Sequence, residues 1–150
     1  MKRIVLSAAV LLLVSSSFAS DPPEINEKIL ESFKKTFTEM EAVKWYENET
    51  TFEARFSLDG IKTIVWYSKD GDLVLTHRNY EANKLPPFVL TKIREELPAY
   101  SILGVTEISN KNGVNYYITL EGEKNWMKIK ADPHGEYEVY EKFKKAKLPF

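Results

Sequence analysis

The order of elements in residues 20–150 is written twice, and this duplication limits the chain's possible folds more than any single residue does. In the first copy Phe52, Ala54 and Phe56 alternate with Glu53 and Arg55. Asp59-Gly60 follows, then Ile64-Val65-Trp66-Tyr67, then Asp70-Gly71. In the second copy Tyr116, Ile118 and Leu120 alternate with Tyr117 and Thr119. Glu121-Gly122 follows, then Trp126-Met127-Lys128-Ile129, then His134-Gly135. Phe52 and Tyr116 lie 116 − 52 = 64 residues apart. Alternating runs separated by glycine turns read as hairpins, because glycine tolerates the positive φ that tight turns demand.

A helix precedes each set of strands. Ile25, Ile29, Phe33 and Phe37 recur every four residues, with Leu30 and Met40 widening the stripe. Lys28, Glu31, Lys34 and Lys35 fill the opposite side. Asp21 as cap and Pro22 in the first turn predict a helix from Pro22 to about Glu39. Val89, Ile93 and Leu97 repeat the spacing behind Pro86-Pro87, and Pro98 ends the run. The predicted strands are Val43–Trp45, Thr51–Ser57, Lys62–Ser68, Leu73–His77, Ser101–Ile108, Val114–Leu120, Trp126–Ala131 and Tyr137–Phe143. The fold class is α+β: two tandem α-β4 repeats, spanning residues 20–82 and 83–150, whose helices cover one face of antiparallel sheet. The other face stays open to solvent.

The N-terminus is expected to be cleaved. Lys2 and Arg3 precede an apolar run from Ile4 to Val14, and Ser17-Phe18-Ala19 has the small residues that signal peptidase prefers. Cleavage after Ala19 would leave 150 − 19 = 131 residues. About 11 apolar residues fall short of a bilayer's hydrocarbon core, about 30 Å thick. A periplasmic or secreted location with no stable membrane anchor follows. The chain has no cysteine, so neither disulfides nor a lipidated cysteine is available. After cleavage 19 basic residues face 22 acidic ones, a net charge of −3, which argues against nucleic-acid binding.

Which side chains lie on the open face follows from comparing the copies. Ile64 to Tyr67 are all apolar and leave the first copy ambiguous. In the second copy Met127 and Ile129 alternate with Trp126, Lys128 and Lys130. Lysines belong in water, so Met127 and Ile129 point to the helix. Aligning Asp70 with Asp132, or Gly71 with Gly135, gives offsets of 62 and 64; both are even and preserve the face. Val65 and Tyr67 then point inward. Glu53, Arg55, Ile64, Trp66, Tyr117, Thr119, Trp126 and Lys128 point outward. Aromatic side chains mixed with arginine and lysine suit a protein-binding patch. The candidate docking residues are Trp66, Trp126, Arg55, Ile64, Tyr117 and Lys128, with the two tryptophans as anchors.

Motifs for catalysis are missing. The sequence has no Gly-x-Ser-x-Gly, no phosphate-binding glycine loop and no His-Glu-x-x-His. Its two histidines, His77 and His134, occupy different positions in the two copies and read as surface residues. Asp70-Gly71-Asp72 is too short for a calcium loop and is explained as hairpin chemistry. No cofactor and no metal site are expected, and the chain is read as a non-enzyme.

Val43-Lys44-Trp45, Phe52-x-Ala54-x-Phe56-x-x-Asp59-Gly60 and Asp70-Gly71-x-Leu73 resemble the first half of the PepSY-like, β-lactamase-inhibitor-like proteins. Leu85-Pro86, Pro98-x-Tyr100-x-Ile102 and Tyr116-Tyr117-x-x-Leu120 resemble the second half. The resemblance implies an exported bacterial protein of tandem helix-plus-sheet repeats. Its architecture would be similar to that of the β-lactamase inhibitor protein, whose concave sheet face grips an enzyme. It carries over no catalytic residue. The expected function is docking of a protein or peptide on the open sheet face. The alternative is a periplasmic small-ligand binder using a groove between the repeats.

Overall fold

The computed structural model describes residues 23–38, 40 and 42–146. The expected signal peptide and its cleavage site lie outside these residues. The elements run α1 (Glu27–Thr36), β1 (Lys44–Glu47), β2 (Thr51–Leu58), β3 (Ile61–Ser68) and β4 (Leu73–Tyr80). A 3-10 turn (Ala82–Lys84) then leads to α2 (Pro87–Glu96), β5 (Ser101–Asn110), β6 (Gly113–Glu121), β7 (Asn125–Ala131) and β8 (Tyr137–Lys144). All eight strands form one antiparallel sheet in chain order. Each strand therefore pairs with its sequence neighbour, the arrangement that short hairpin turns impose.

The turns explain themselves. Asp59 and Gly60 have φ of 52° and 77°. Positive φ at both central residues matches the right-handed twist of β2 and β3. Gly71 and Gly135 are fixed by crowding as well. A Cβ on Gly71 would lie 3.3 Å from the Lys28 Cβ of α1, and one on Gly135 would lie 2.9 Å from the Lys92 Cδ of α2. Each helix is thus seated against the turn that ends the second hairpin strand of its half.

The first helix is shorter than the sequence predicts. Its cap is Asn26, whose Oδ1 accepts from the Ile29 N–H at 3.0 Å. Asp21 and Pro22 lie outside the described residues. Asn26 provides the capping acceptor that the orphan N–H groups of a first turn require. Phe37 leaves helical geometry at φ −122° and closes the other end. Ile25, Phe37 and Met40 still pack beside the helix although none is part of it. The second helix begins at Pro87; Pro86, expected in its first turn, is instead the N-cap, and Leu97 closes the other end.

Both helices lie on one face of the sheet, and each covers its own core. Under α1, Ile29 and Phe33 pack with Phe52, Ala54, Phe56, Val65 and Tyr67. Under α2, Val89 and Ile93 pack with Val105, Ile118, Leu120, Met127 and Ile129. Val65, Tyr67, Met127 and Ile129 are all buried, so the expected inward parity holds.

Between the cores, one row crosses the sheet as Phe56, Thr63, Arg78, Glu107, Tyr116 and Ala131. Its middle is polar. Arg78 Nη1 donates to Glu107 Oε1 at 3.1 Å, and the Tyr80 hydroxyl donates to Glu107 Oε2 at 2.6 Å. Burial, then the bond to Glu107, push the Tyr80 hydroxyl far above its ordinary value. This pairing also explains why β4 continues to Tyr80 instead of ending at His77. Arg78 and Tyr80 extend the strand because β5 supplies Glu107 as their partner.

Candidate docking face

The face opposite the helices is traced by the strand register. In the first half one row reads Tyr46, Glu53, Trp66 and Leu75. The next reads Lys44, Arg55, Ile64, His77, Ile108 and Asn115. Trp66, Ile64, Leu75, His77 and Ile108 are neighbours, all partly buried, and form an apolar floor. Among the candidates, Trp66, Ile64 and Arg55 come together here.

Arg55 is held tightly. Its Nε donates to Glu53, and its guanidinium lies 4.4 Å over the Tyr46 ring. The hydrogen bond to Glu53 leads the causes that raise its affinity for the proton. Glu53 faces outward as predicted, yet only 8% of its side chain is exposed, against 51% for Arg55. The arginine and its flanking rings cover the carboxylate. A carboxylate buried this deeply is tolerated because it is paired.

His77 differs from the surface residue expected. It lies inside β4, partly buried, with its ring stacked on Trp66 at 6.1 Å and 15°. Its Nε2 is shielded from solvent and has no partner among the described residues. The cause is the strand's length: β4 runs three residues beyond His77, placing it mid-sheet between Ile64 and Ile108. His134 is exposed in the β7–β8 turn.

The second half of the face is built differently. Tyr117, Thr119 and Lys128 point outward, and Trp126 lies across from Glu121 and Phe143. The Tyr117 and Tyr140 rings meet edge-to-face at 5.9 Å. Lys128 reaches Glu141 at 2.6 Å, Lys130 reaches Glu138 at 3.5 Å, and Lys145 reaches Glu121 at 2.5 Å. The hydrogen bond to Glu141 raises Lys128 above its ordinary range. Lys145 Nζ also lies 5.1 Å from the Trp126 ring, so a lysine stem shades that indole.

The two tryptophans share a face but not a patch. Lys62, Asn79, Thr106, Tyr117 and Lys130 form one continuous row. Trp66 lies two side-chain rows to one side of that row, and Trp126 two rows to the other, on a strand four places away. With about 4.8 Å between strands and about 6.8 Å between rows, they are roughly 30 Å apart. Alternation along a strand fixes the face, whereas the distance depends on register between the halves, which no local pattern carries. Tyr46, Leu75, His77 and Ile108 were missed for the same reason, although the even spacing of Leu75 and His77 with Asn79 hinted at a shared side.

Among the described residues no group of three or more His, Asp or Glu side chains is placed to hold a metal. No described helix is long and apolar enough to cross a membrane.

The arrangement of one eight-stranded antiparallel sheet with both helices on one face recurs in solved structures. A BLIP-like protein from Bacteroides fragilis is 20% identical, with a TM-score of 0.64 over 85% of this chain and 91% of its own. The fold is BLIP-like. A DUF2874 family protein from Bacteroides ovatus shares it at 16% identity and TM-score 0.64, covering 81% of this chain and 89% of its own. A protein from Bacteroides eggerthii, provisionally assigned to the periplasm, is 18% identical with a TM-score of 0.61, covering 81% and 90%. No protein-family model and no curated protein matches the chain. At these identities the likeness is one of fold.

Proposed function

We propose that this BLIP-like fold is an exported, non-enzymatic binding protein that docks a protein or peptide on its open sheet face. The observation that carries the reading is the apolar floor of Trp66, Ile64, Leu75, His77 and Ile108. It lies on the side that neither helix covers. Export rests on the N-terminal signal pattern, in keeping with the provisional periplasmic assignment of the Bacteroides eggerthii protein.

The same reading takes residues 20–82 and 83–150 as tandem PepSY-like repeats. The seating of Gly71 on Lys28 and of Gly135 on Lys92 supports it, since both pairs are offset by 64. The small-ligand alternative needs a groove between the halves. On the helix side that junction is filled by Arg78, Tyr80 and Glu107, so docking is the better supported of the two.

Affinity capture from a native periplasmic extract, followed by pairwise titration of the captured partner, tests the proposal. Trp66→Ala should weaken the complex by about 2 kcal/mol or more, the loss typical of an interface anchor. Trp126→Ala should weaken it less, because Lys145 already occupies that ring. Undiminished binding by the Trp66→Ala, Trp126→Ala double variant, with its melting temperature retained, would discard the open face as the site.

A further inference from the structure

The open face is unevenly charged. In its second half Lys128, Lys130 and Lys145 are matched by Glu141, Glu138 and Glu121. Among the strand positions of its first half the outward cations are Lys44, Arg55 and Lys62, and the outward carboxylate is Glu53 alone, buried beneath Arg55; Asp59 and Glu81 line the strand ends beside Lys62 without an ion pair to it. Arg55 commits its Nε to Glu53; its two terminal Nη groups have no hydrogen-bond partner among the described residues. Lys62 is exposed and lies between Ser57 and Asn79, with no ion-pair partner among the described residues. The whole chain carries a net charge of −1, so this local excess runs against the molecule's average.

We infer that the first half of the face takes an acidic peptide segment. This rests on the docking reading and adds the partner's chemistry. An apolar side chain of the peptide sits on Trp66, Ile64 and Ile108, and flanking carboxylates meet Arg55 and Lys62. A carboxylate can engage both Nη groups of one guanidinium at once, which makes Arg55 a geometric reader as well as a charge. Lys62 contributes as a mobile point charge that steers approach. The second half, its charges already matched in place, offers an incoming acid no such gain.

The test uses three fluorescein-labelled ten-residue peptides, each with a Phe-Leu pair at its centre. The flanks are Glu and Asp in the first, Gln and Asn in the second, and Lys and Arg in the third. Fluorescence anisotropy with the purified protein should rank the acidic peptide about tenfold or more above the other two, with an affinity that falls as salt rises. Lys62→Glu should cut acidic-peptide affinity about tenfold, and Arg55→Gln should do likewise. Lys62 makes no contact on which the fold depends, so its variant remains informative if Arg55→Gln destabilises the protein. Lys130→Gln and Lys130→Ala should each stay within about twofold of the parent, since Lys130 is already paired with Glu138. Equal affinity for the neutral peptide would overturn the inference, as would an equal effect of the second-half variants or no acidic-peptide binding at about 1 mM. If the three peptides bind with equal affinity and Trp66→Ala weakens them all, the docking face stands and the acidic preference falls. If Trp66→Ala changes no binding that is observed, both fall.

Discussion

The two halves present one layout in two chemistries. The core under α1 is aromatic: Phe33 contacts the rings of Phe37, Trp45, Phe56 and Tyr67 at centroid distances of 5.2 to 6.4 Å. The core under α2 is mainly aliphatic, built on Val89, Ile93, Ile118, Leu120 and Ile129, with its tyrosines, Tyr116 among them, at the margin. Outside, the order of character differs again. The first half leaves an apolar floor with unmatched cations, whereas the second is a set of closed ion pairs. Backbone geometry constrains where a side chain points, and these halves show how little that constrains what it is. A scaffold can therefore keep one half's face chemically quiet and open the other to a partner.

The largest expected effect separates the cores. Phe33→Ala removes a ring that touches four others and should cost about 4 kcal/mol, within the usual range for a buried aromatic. Val89→Ala under α2 deletes two methyl groups and should cost about 2 kcal/mol. Urea titration of both variants measures the difference. Equal losses would mean that the aromatic cluster adds nothing beyond its buried area, against the usual extra stabilisation of edge-to-face pairs.

A smaller effect probes what joins the halves. Arg78→Met leaves Glu107 with Tyr80 alone and should destabilise by about 3 kcal/mol, since an uncompensated buried charge is costly. Adding Glu107→Leu should restore most of that loss, and the coupling is read from the double-mutant cycle. Tyr80→Phe removes one bond to the carboxylate and should cost about 1.5 kcal/mol. If Arg78→Met costs less than Tyr80→Phe, the row between the cores is solvated and the halves are joined by backbone pairing alone.

Legibility in the sequence followed the range of the forces. Asp59-Gly60, the fourfold spacing of Ile29 and Phe33, and the alternation of Met127 with Lys128 are local signals, and each predicted its element and its face. Asn26 caps the helix although Asp21-Pro22 is the more familiar start, and the contact that decides it spans only three residues. Arg78 with Glu107 and Trp66 with His77 are contacts between strands. They depend on register across β3, β4 and β5, which no local pattern encodes. The candidate site suffered most: Trp66 and Arg55 were found with their correct face, while His77 and Ile108 beside them were not. Trp126 was grouped with a patch that lies roughly 30 Å away across the sheet.

The smallest effect lies at Tyr67, where the halves can be made more alike. The 62-residue offset sets Tyr67 against Ile129, and both are fully buried. The Tyr67 hydroxyl has no hydrogen-bond partner among the described residues. Burial alone pushes this phenol up to about 12. A buried hydroxyl without a partner carries a desolvation cost that its phenyl counterpart lacks. Tyr67→Phe should therefore raise stability by up to about 1 kcal/mol at neutral pH, seen as a melting temperature higher by a few degrees. The alkaline side gives a second readout. The unfolded phenol titrates near its ordinary value of 10.0, below the folded one, so Tyr67's contribution is fully present below pH 10 and is lost as pH rises through about 12. Tyr67→Phe should flatten the stability profile across that window, while Ile129→Val, which carries no proton, should lower the profile without changing its slope. A destabilised Tyr67→Phe would mean that the hydroxyl is hydrogen-bonded after all, and that the phenol is a working part of the aromatic core.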